Sequence, residues 1–363
     1  MIHKSQRVLV EIVIIIRNPR SIGNVIYKDA APTALKMAKQ FNPLASKGFP
    51  PFNQAMMRIK RNRLPIIFVS GLVLVMAASA YLYLWCSVPV GRGSAGPIVS
   101  SESFSHKWTD RPVLLVGLGD SMTAGFGARK GYSYFDRLIL NPSDEFQSMK
   151  RICLGKVLSK LTFTNLAISG STSTELLEKE LPYLTQSDPN TMGIVVITTG
   201  GNDLIHNYGR TPPREEAMYG ATFEEAQPWI SNYERRLDSM VRKIETHFPG
   251  GCQIFLANIY DPTDGIGDAE RARLPAWKDS LKILAAYNNA ISSCTQKHPN
   301  LHIIDIHTAF LGHGIHCTQF WRSNYDWHDP HYWFYDNLED PNERGYDVMR
   351  RLFLIEIAKT LNQ

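Results

Sequence analysis

The sequence predicts an α/β protein: a five-stranded parallel sheet with helices on both faces, preceded by one N-terminal transmembrane or signal helix. Three observations predict it. Five apolar runs after residue 110 are continuous rather than alternating, as strands buried on both faces are. Stretches with helical spacing of apolar residues alternate with them, which implies helices on a parallel sheet. One stretch before residue 86 has no charged residue for about twenty positions, close to the length that crosses a hydrocarbon core as a helix.

The chain has 363 residues and a mild net charge of +5. Much of that charge lies in residues 1–63, read as a basic cytoplasmic segment or, in its first 56 residues, a mis-chosen start. The bulk after residue 100 is near neutral, so no basic face points to nucleic acid. "VLVEIVIII" (8–16) reads as a strand without evident partners. "RIKRNR" (58–63) then precedes the uncharged run "LPIIFVSGLVLVMAASAYLYLW" (64–85). Positive flanks stay cytoplasmic, so the C-terminal bulk is expected outside, with the membrane as a partner through this segment. From Met57 the same region has the layout of a secretory signal, with "ASA" at 78–80 as the cleavage site. The apolar run continues through "YLYLW", which favours an uncleaved anchor, and both readings export the domain. Cys86 follows Trp85 rather than a small residue, unlike a lipoprotein signal. Residues 86–110 are Gly/Ser-rich and polar and read as a linker to a domain spanning 111–363.

Within that domain the five strand candidates are 112–119, 161–168, 192–200, 252–260 and 301–307, and the helix candidates are 222–247, 279–296 and 343–361. In the helix 222–247, Trp229, Tyr233, Leu237, Met240 and Ile244 lie close to helical spacing. Open parallel sheets place their sites at the carboxyl ends of the strands. Just after the first three runs come Asp120-Ser121, "SGSTS" (169–173) and "GGND" (200–203). Each alone is an ordinary loop or helix cap. Together, at three successive strand ends, they suit ester cleavage by a serine, which needs a hydroxyl near a base and donors for the oxyanion. Ser121 opens a turn into a helix. Gly170 has no side chain to block approach to its N–H, and Asn202 offers an amide NH2.

The segments "GDSMTAG" (119–125), "NLAISGSTS" (165–173) and "GGND" (200–203) resemble blocks one, two and three of the SGNH hydrolases, the GDSL esterase/lipase superfamily. The resemblance covers about residues 111–361. It implies a flavodoxin-like three-layer α/β/α sandwich, a Ser121 nucleophile, an oxyanion hole of Ser121, Gly170 and Asn202, and ester substrates of lipid, sugar or small acyl type. It implies no metal and no cofactor.

One signature departs from the pattern. The histidine of a D-x-x-H-P-N-x-x-G stretch is missing from "DNLEDPNERG" (336–345). Counting forward from Asp336 gives Glu339, counting back from Pro341 gives Asp340, and one residue has been added. A carboxylate with an ordinary pKa of about 4 is a poor base for a serine. Residues 306–336 carry His307, His313, His316, His328 and His331. His331 is the first choice as base, with Asp329 or Asp336 holding its ring, and His328 and His313 are alternatives. "HGIH" (313–316) with "HDPH" (328–331) offers four imidazoles to zinc, a weaker reading that the serine chemistry makes unnecessary. The aromatics Trp327, Tyr332, Trp333, Phe334 and Tyr335 suit stacking on a sugar or acyl chain, or a hydrophobic cover over the sheet edge. Of the five cysteines none forms a CxxC pair, and Cys317 is a disulfide candidate with Cys294 or Cys252. The expected function is an exported serine esterase acting on a carbohydrate O-acyl or lipid ester. The alternatives are an O-acyltransferase on the same scaffold and a non-catalytic carbohydrate- or lipid-binding module.

Overall fold

The computed structural model describes residues 64–362. The basic segment 1–63, the "VLVEIVIII" run and the start at Met57 lie outside the described residues. Helix α1 (Leu64–Tyr81) continues as a wider π-turn over Leu82–Cys86. Its stretch Phe68–Cys86 has a mean hydropathy of 1.8 and is nowhere buried. Among the described residues it is the one helix long and apolar enough to cross a membrane.

Five parallel strands form one sheet: β1 (Val113–Gly119), β2 (Leu161–Asn165), β3 (Met192–Thr198), β4 (Cys252–Ala257) and β5 (Leu301–Ile304), in the order β2-β1-β3-β4-β5. All but β1 end two or more residues before their apolar runs do, where the chain leaves the ladder. Because β1 connects outward to β2 and the chain then returns to β3, the order reverses between β1 and β3. Loops leaving those two strands diverge and open a crevice there.

Alternate residues of each strand face opposite layers. Leu115, Ile194, Val196 and Phe255 pack with Leu138 of α3 (Tyr134–Ile139) and Phe353 and Leu354 of α7 (Glu343–Leu361). Val116, Val195, Ile197 and Ile254 pack with Leu237 and Val241 of α5 (Phe223–Thr246) and Ile283 and Tyr287 of α6 (Ser280–Lys297). The result is a three-layer α/β/α sandwich. Two short helices complete the site: α2 (Ser121–Ala124) after β1 and α4 (Gly201–Ile205) after β3. Helix α5 starts where Thr222 and Glu225 form a capping box. Of its expected apolar stripe, Tyr233, Leu237, Met240 and Ile244 are buried, while Trp229 packs against the core only in part.

Two expectations are corrected. The stretch 86–110 is not a free linker: Ala95, Val99 and Phe104 are buried in the core. Gly91 and Gly96 there are closely approached by His331 and Val348, and the backbone itself is recognised. The Ala95 N–H donates to Asp347 Oδ2 at 3.0 Å, Arg344 Nη1 donates to the carbonyls of Arg92 and Gly93, and Arg351 Nη1 donates to that of Pro97. Asp347, fully buried on α7, also takes Arg137, Arg350 and Arg351, and removing one member of such a buried ionic group typically costs about 3–5 kcal/mol. The second correction concerns sulfur: all five cysteines are free, with Cys252, Cys294 and Cys317 buried singly.

Candidate active site

The turn after β1 is built by close approach. A Cβ at Gly119, whose φ is +114°, would sit 1.8 Å from the Thr198 carbonyl oxygen, so only glycine lets β1 and β3 end side by side. Asp120, 2% exposed, caps α2: its carboxylate accepts from Met122 N–H at 3.1 Å and from Thr198 Oγ1 at 2.6 Å. Burial pushes its carboxyl up to about 7 despite these donors. Ser121 is thereby the first residue of the helical turn, half-buried, and like other first-turn N–H groups its own has no partner inside the turn.

The "GGND" turn answers from β3. Gly200 takes φ +95°, where a Cβ would collide with the Tyr233 hydroxyl at 2.6 Å. Asn202 is buried and lines the same cavity as Ser121. Its Nδ2 donates to the Ser171 carbonyl at 3.0 Å, leaving the second N–H of the amide. Asp203, fully buried, accepts from Ser173 N–H at 2.9 Å, so two consecutive side chains of α4 grip the "SGSTS" loop. Gly170 lies on that loop at φ +84°, exposed, with open space where a side chain would be. It does not line the Ser121 cavity itself.

Asp340 faces Ser121. Burial pushes its carboxyl up, and the Ser121 hydroxyl and Asn337 hold it partly down. Asn337 Nδ2 donates to Oδ2 at 2.6 Å. The Ser121 contact falls short of full hydrogen-bond geometry, and Oδ1 is buried with no partner among the described residues. The extra residue between Asp336 and Pro341 is absorbed in a turn where Leu338 takes φ +67° and its N–H returns to the Tyr335 carbonyl. Asp340 is therefore the position that counting back from Pro341 identifies. Glu339 lines the cavity next to it, and burial with the neighbouring charge of Asp340 pushes its carboxyl up to about 7.

The cavity itself has a volume of about 140 Å³. Asp120 and Asp261 also line it, but its walls are largely apolar, with Leu204, Ile205, Tyr219, Trp277, Leu281 and Leu284 among them.

A family model for the GDSL-like lipase/acylhydrolase family matches residues 118–348. The chain belongs to this family. An uncharacterized protein of Bacillus subtilis (strain 168), YpmR, is 24% identical over 188 residues, which are 51% of this chain and 64% of that protein. The chain thus spans a little under two-thirds of the curated relative it matches. Similar solved structures include an extracellular lipase from Streptomyces rimosus (18% identity, 68% of this chain and 99% of that one, TM-score 0.44). Others are an acetylxylan esterase from Geobacillus stearothermophilus (17%, 69% and 94%, 0.43) and a phospholipase A1 from Streptomyces albidoflavus NA297 (20%, 67% and 98%, 0.39).

In this member of the family the histidines are placed elsewhere. None lines the Ser121 cavity. His331 has its ring held by an aspartate, Nδ1 to Asp329 Oδ1 at 2.6 Å, but the pair packs on the segment before the domain: a Cβ at Gly91 would lie 2.6 Å from the imidazole. Asp329 is fixed there by Arg344 and Trp333. His313 is stacked flat on Trp333 at 3.3 Å, with Nδ1 against the His331 carbonyl, and burial pushes its pKa down. His316 lies between Gln319 and Asp268, His307 bonds the Ile259 carbonyl, and His328 is exposed. Asp336 is exposed and holds no imidazole. No group of three or more His, Cys, Asp or Glu is arranged to hold a metal among the described residues.

Glu180 escaped the sequence reading. It is 1% exposed and accepts from Gly119 N–H at 2.6 Å and from Ser171 Oγ at 2.7 Å, joining the first two motifs beneath Ser121. Burial pushes its carboxyl up to about 7. The available signal was its register: Glu180 falls on the same helical stripe as Leu176, four residues earlier.

Proposed function

We propose that the protein is a serine esterase in which Asp340, rather than a histidine, accepts the proton of Ser121. The observation that carries this is the buried, unpartnered Oδ1 of Asp340 beside the serine. A carboxylate is a weak base because its ordinary pKa is about 4. Burial raises that of Asp340, bringing it closer to the operating range where general bases are most effective.

Ser121 Oγ attacks the ester carbonyl carbon as its proton passes to Asp340. The carbonyl oxygen, now negative, takes hydrogen bonds from the Ser121 N–H, the Gly170 N–H and the free N–H of Asn202. Collapse breaks the bond to the alcohol, which leaves with the proton from Asp340. Water repeats the sequence on the acyl-enzyme and releases the acid. Glu180 and Asp203 act on positioning, by fixing the loop that carries Gly170. The largely apolar lining of the cavity favours an acyl chain over a sugar as the buried part of the substrate. The apolar helix supports a membrane-attached or exported enzyme.

A fluorophosphonate probe tests the reading, since it reacts with an activated serine and not with an ordinary one. The folded wild-type protein is expected to be labelled at Ser121 and S121A to be unlabelled. A folded wild type that takes no label overturns the proposal.

A further inference from the structure

Helix α1 does not lead into a loose tether. The π-turn that continues it, Leu82–Cys86, is fastened to the domain: the Leu84 carbonyl accepts from Arg271 Nη2 at 3.2 Å, Gln319 Nε2 at 3.2 Å and Thr318 Oγ1 at 3.4 Å. Three donors on one carbonyl tie the end of the apolar stretch to the domain surface. Next to this joint lies a run of exposed rings. Trp85 packs on Trp321 at 4.9 Å, Trp321 on Phe320 at 5.0 Å, Phe320 on Trp327 at 6.4 Å, and Trp327 on Tyr325 at 5.0 Å. Trp327 is 72% exposed and Phe320 51%. Large rings gathered at the surface are costly in water unless something covers them.

The occupant follows from their place. Tryptophan and tyrosine concentrate where a spanning helix meets the headgroup layer, because their rings are apolar and their N–H or O–H is polar. These rings are continuous with the end of a helix of spanning length. The same edge opens inward: a cleft bounded by Trp85, Cys86 and Val88 on one side reaches Leu338 and Glu339 on the other, and both of the latter also line the Ser121 cavity. Arg210, Arg271 and Arg273 line this cleft against Asp336 and Glu339, and the guanidinium groups suit lipid phosphates.

We propose that Trp85, Phe320, Trp321 and Trp327 form a plate that seats in the headgroup layer of a phospholipid bilayer and holds the mouth of the Ser121 cavity at the membrane surface. The ester is then drawn from the bilayer, as an amphiphile that enters acyl chain first through the cleft. This rests on the serine esterase reading and on α1 spanning the membrane.

Two measurements on the full chain, reconstituted in phosphatidylethanolamine/phosphatidylglycerol vesicles, test it. In the first, lipids brominated near the headgroup quench tryptophan fluorescence. W321F/W327F, which keeps the rings and removes the fluorophores, is expected to lose a large part of the quenching seen in wild type. If the emission it removes is quenched by aqueous iodide and not by bromolipid, the plate faces water and the proposal is overturned. In the second, F320S/W321S/W327S is expected to cleave soluble p-nitrophenyl butyrate within about twofold of wild type, and to lose about tenfold or more on a fluorogenic ester embedded in the vesicles. An equal effect on both substrates overturns the proposal. If wild type cleaves neither ester, the esterase reading fails on its own, and the quenching result alone decides whether the plate docks.

Discussion

The ends of β1 and β3 and the long connection from Asp305 to Asn342 both carry residues that look catalytic, yet only in the first region do residues that the sequence singles out, Ser121 and Asn202, meet at one cavity. At the strand ends, backbone geometry leaves little choice. Gly119 can pass within contact of Thr198 only as glycine, and the helical turns that follow present Ser121 and Asn202 to one crevice. In the connection, His313 is taken up in stacking and His316 and His331 in hydrogen bonds to aspartates, and the group beside the serine is a carboxylate. Chemical type predicts function where the fold fixes position, and fails where a loop decides which side chain faces inward.

The sharpest way to break this contrast is to compare the two candidate bases directly. Asp340→Asn preserves shape and the Asn337 partnership while removing the proton acceptor, and is expected to lower kcat/KM on an activated aryl ester about a thousandfold. His331→Ala is expected to stay within about threefold. Because burial raises the Asp340 carboxyl, the acid limb of the wild-type pH–rate profile is expected above the ordinary carboxylate range, with activity rising as pH rises through it. Steady-state kinetics across the acid and neutral range on both variants check this. A large loss in His331→Ala with an unchanged Asp340→Asn would reverse the comparison.

A smaller effect sharpens the strand-end half. In the proposed mechanism Asn202 serves the transition state rather than the ground state. Asn202→Ala is expected to lower kcat about a hundredfold, with KM little changed. If KM rises while kcat holds, Asn202 binds substrate uniformly and is no oxyanion donor. Part of any loss reflects the Ser171 carbonyl that Asn202 holds; Asn202→Asp, which forfeits both amide donors at similar size, is expected to lose at least as much.

How much was legible follows the same line. The five strands, the three long helices and the order of motifs were readable because continuous apolar runs and helical spacing report burial directly. Asp340 was found by counting from Pro341 but set aside on its ordinary acidity, since a sequence does not state how dry a side chain will be. The stretch 86–110 read as a linker because its glycines and serines suit flexibility; its recognition through backbone carbonyls, by Arg344 and Arg351, leaves no mark in side-chain pattern. Glu180 was hidden for the opposite reason, since a charged residue in a helix is normally solvated, and only its register beside Leu176 hinted otherwise.

Glu180 gives the smallest test, and it reads stability. Its carboxyl titrates near 7 in the folded protein, against an ordinary value of 4.5, so the folded protein holds this proton more tightly. For a carboxyl shifted upward, the stabilising effect of the bound proton is fully present below about pH 4 and is lost as pH rises toward 7. The shift corresponds to at most about 3 kcal/mol, or several degrees of Tm for a domain of this size, about 2–4 °C per kcal/mol. Asp120, also held near 7, adds in the same direction. Glu180→Gln keeps a carbonyl oxygen to accept from Gly119 or Ser171 and removes the titration. Its Tm is therefore expected to fall less between about pH 5 and pH 8 than that of the wild type, by a few degrees. Glu178→Gln, at an exposed position two residues away, is expected to leave the wild-type difference unchanged. Calorimetry at the two pH values compares them, and equal slopes in all three proteins would mean that Glu180 is solvated and does not join the two motifs beneath Ser121.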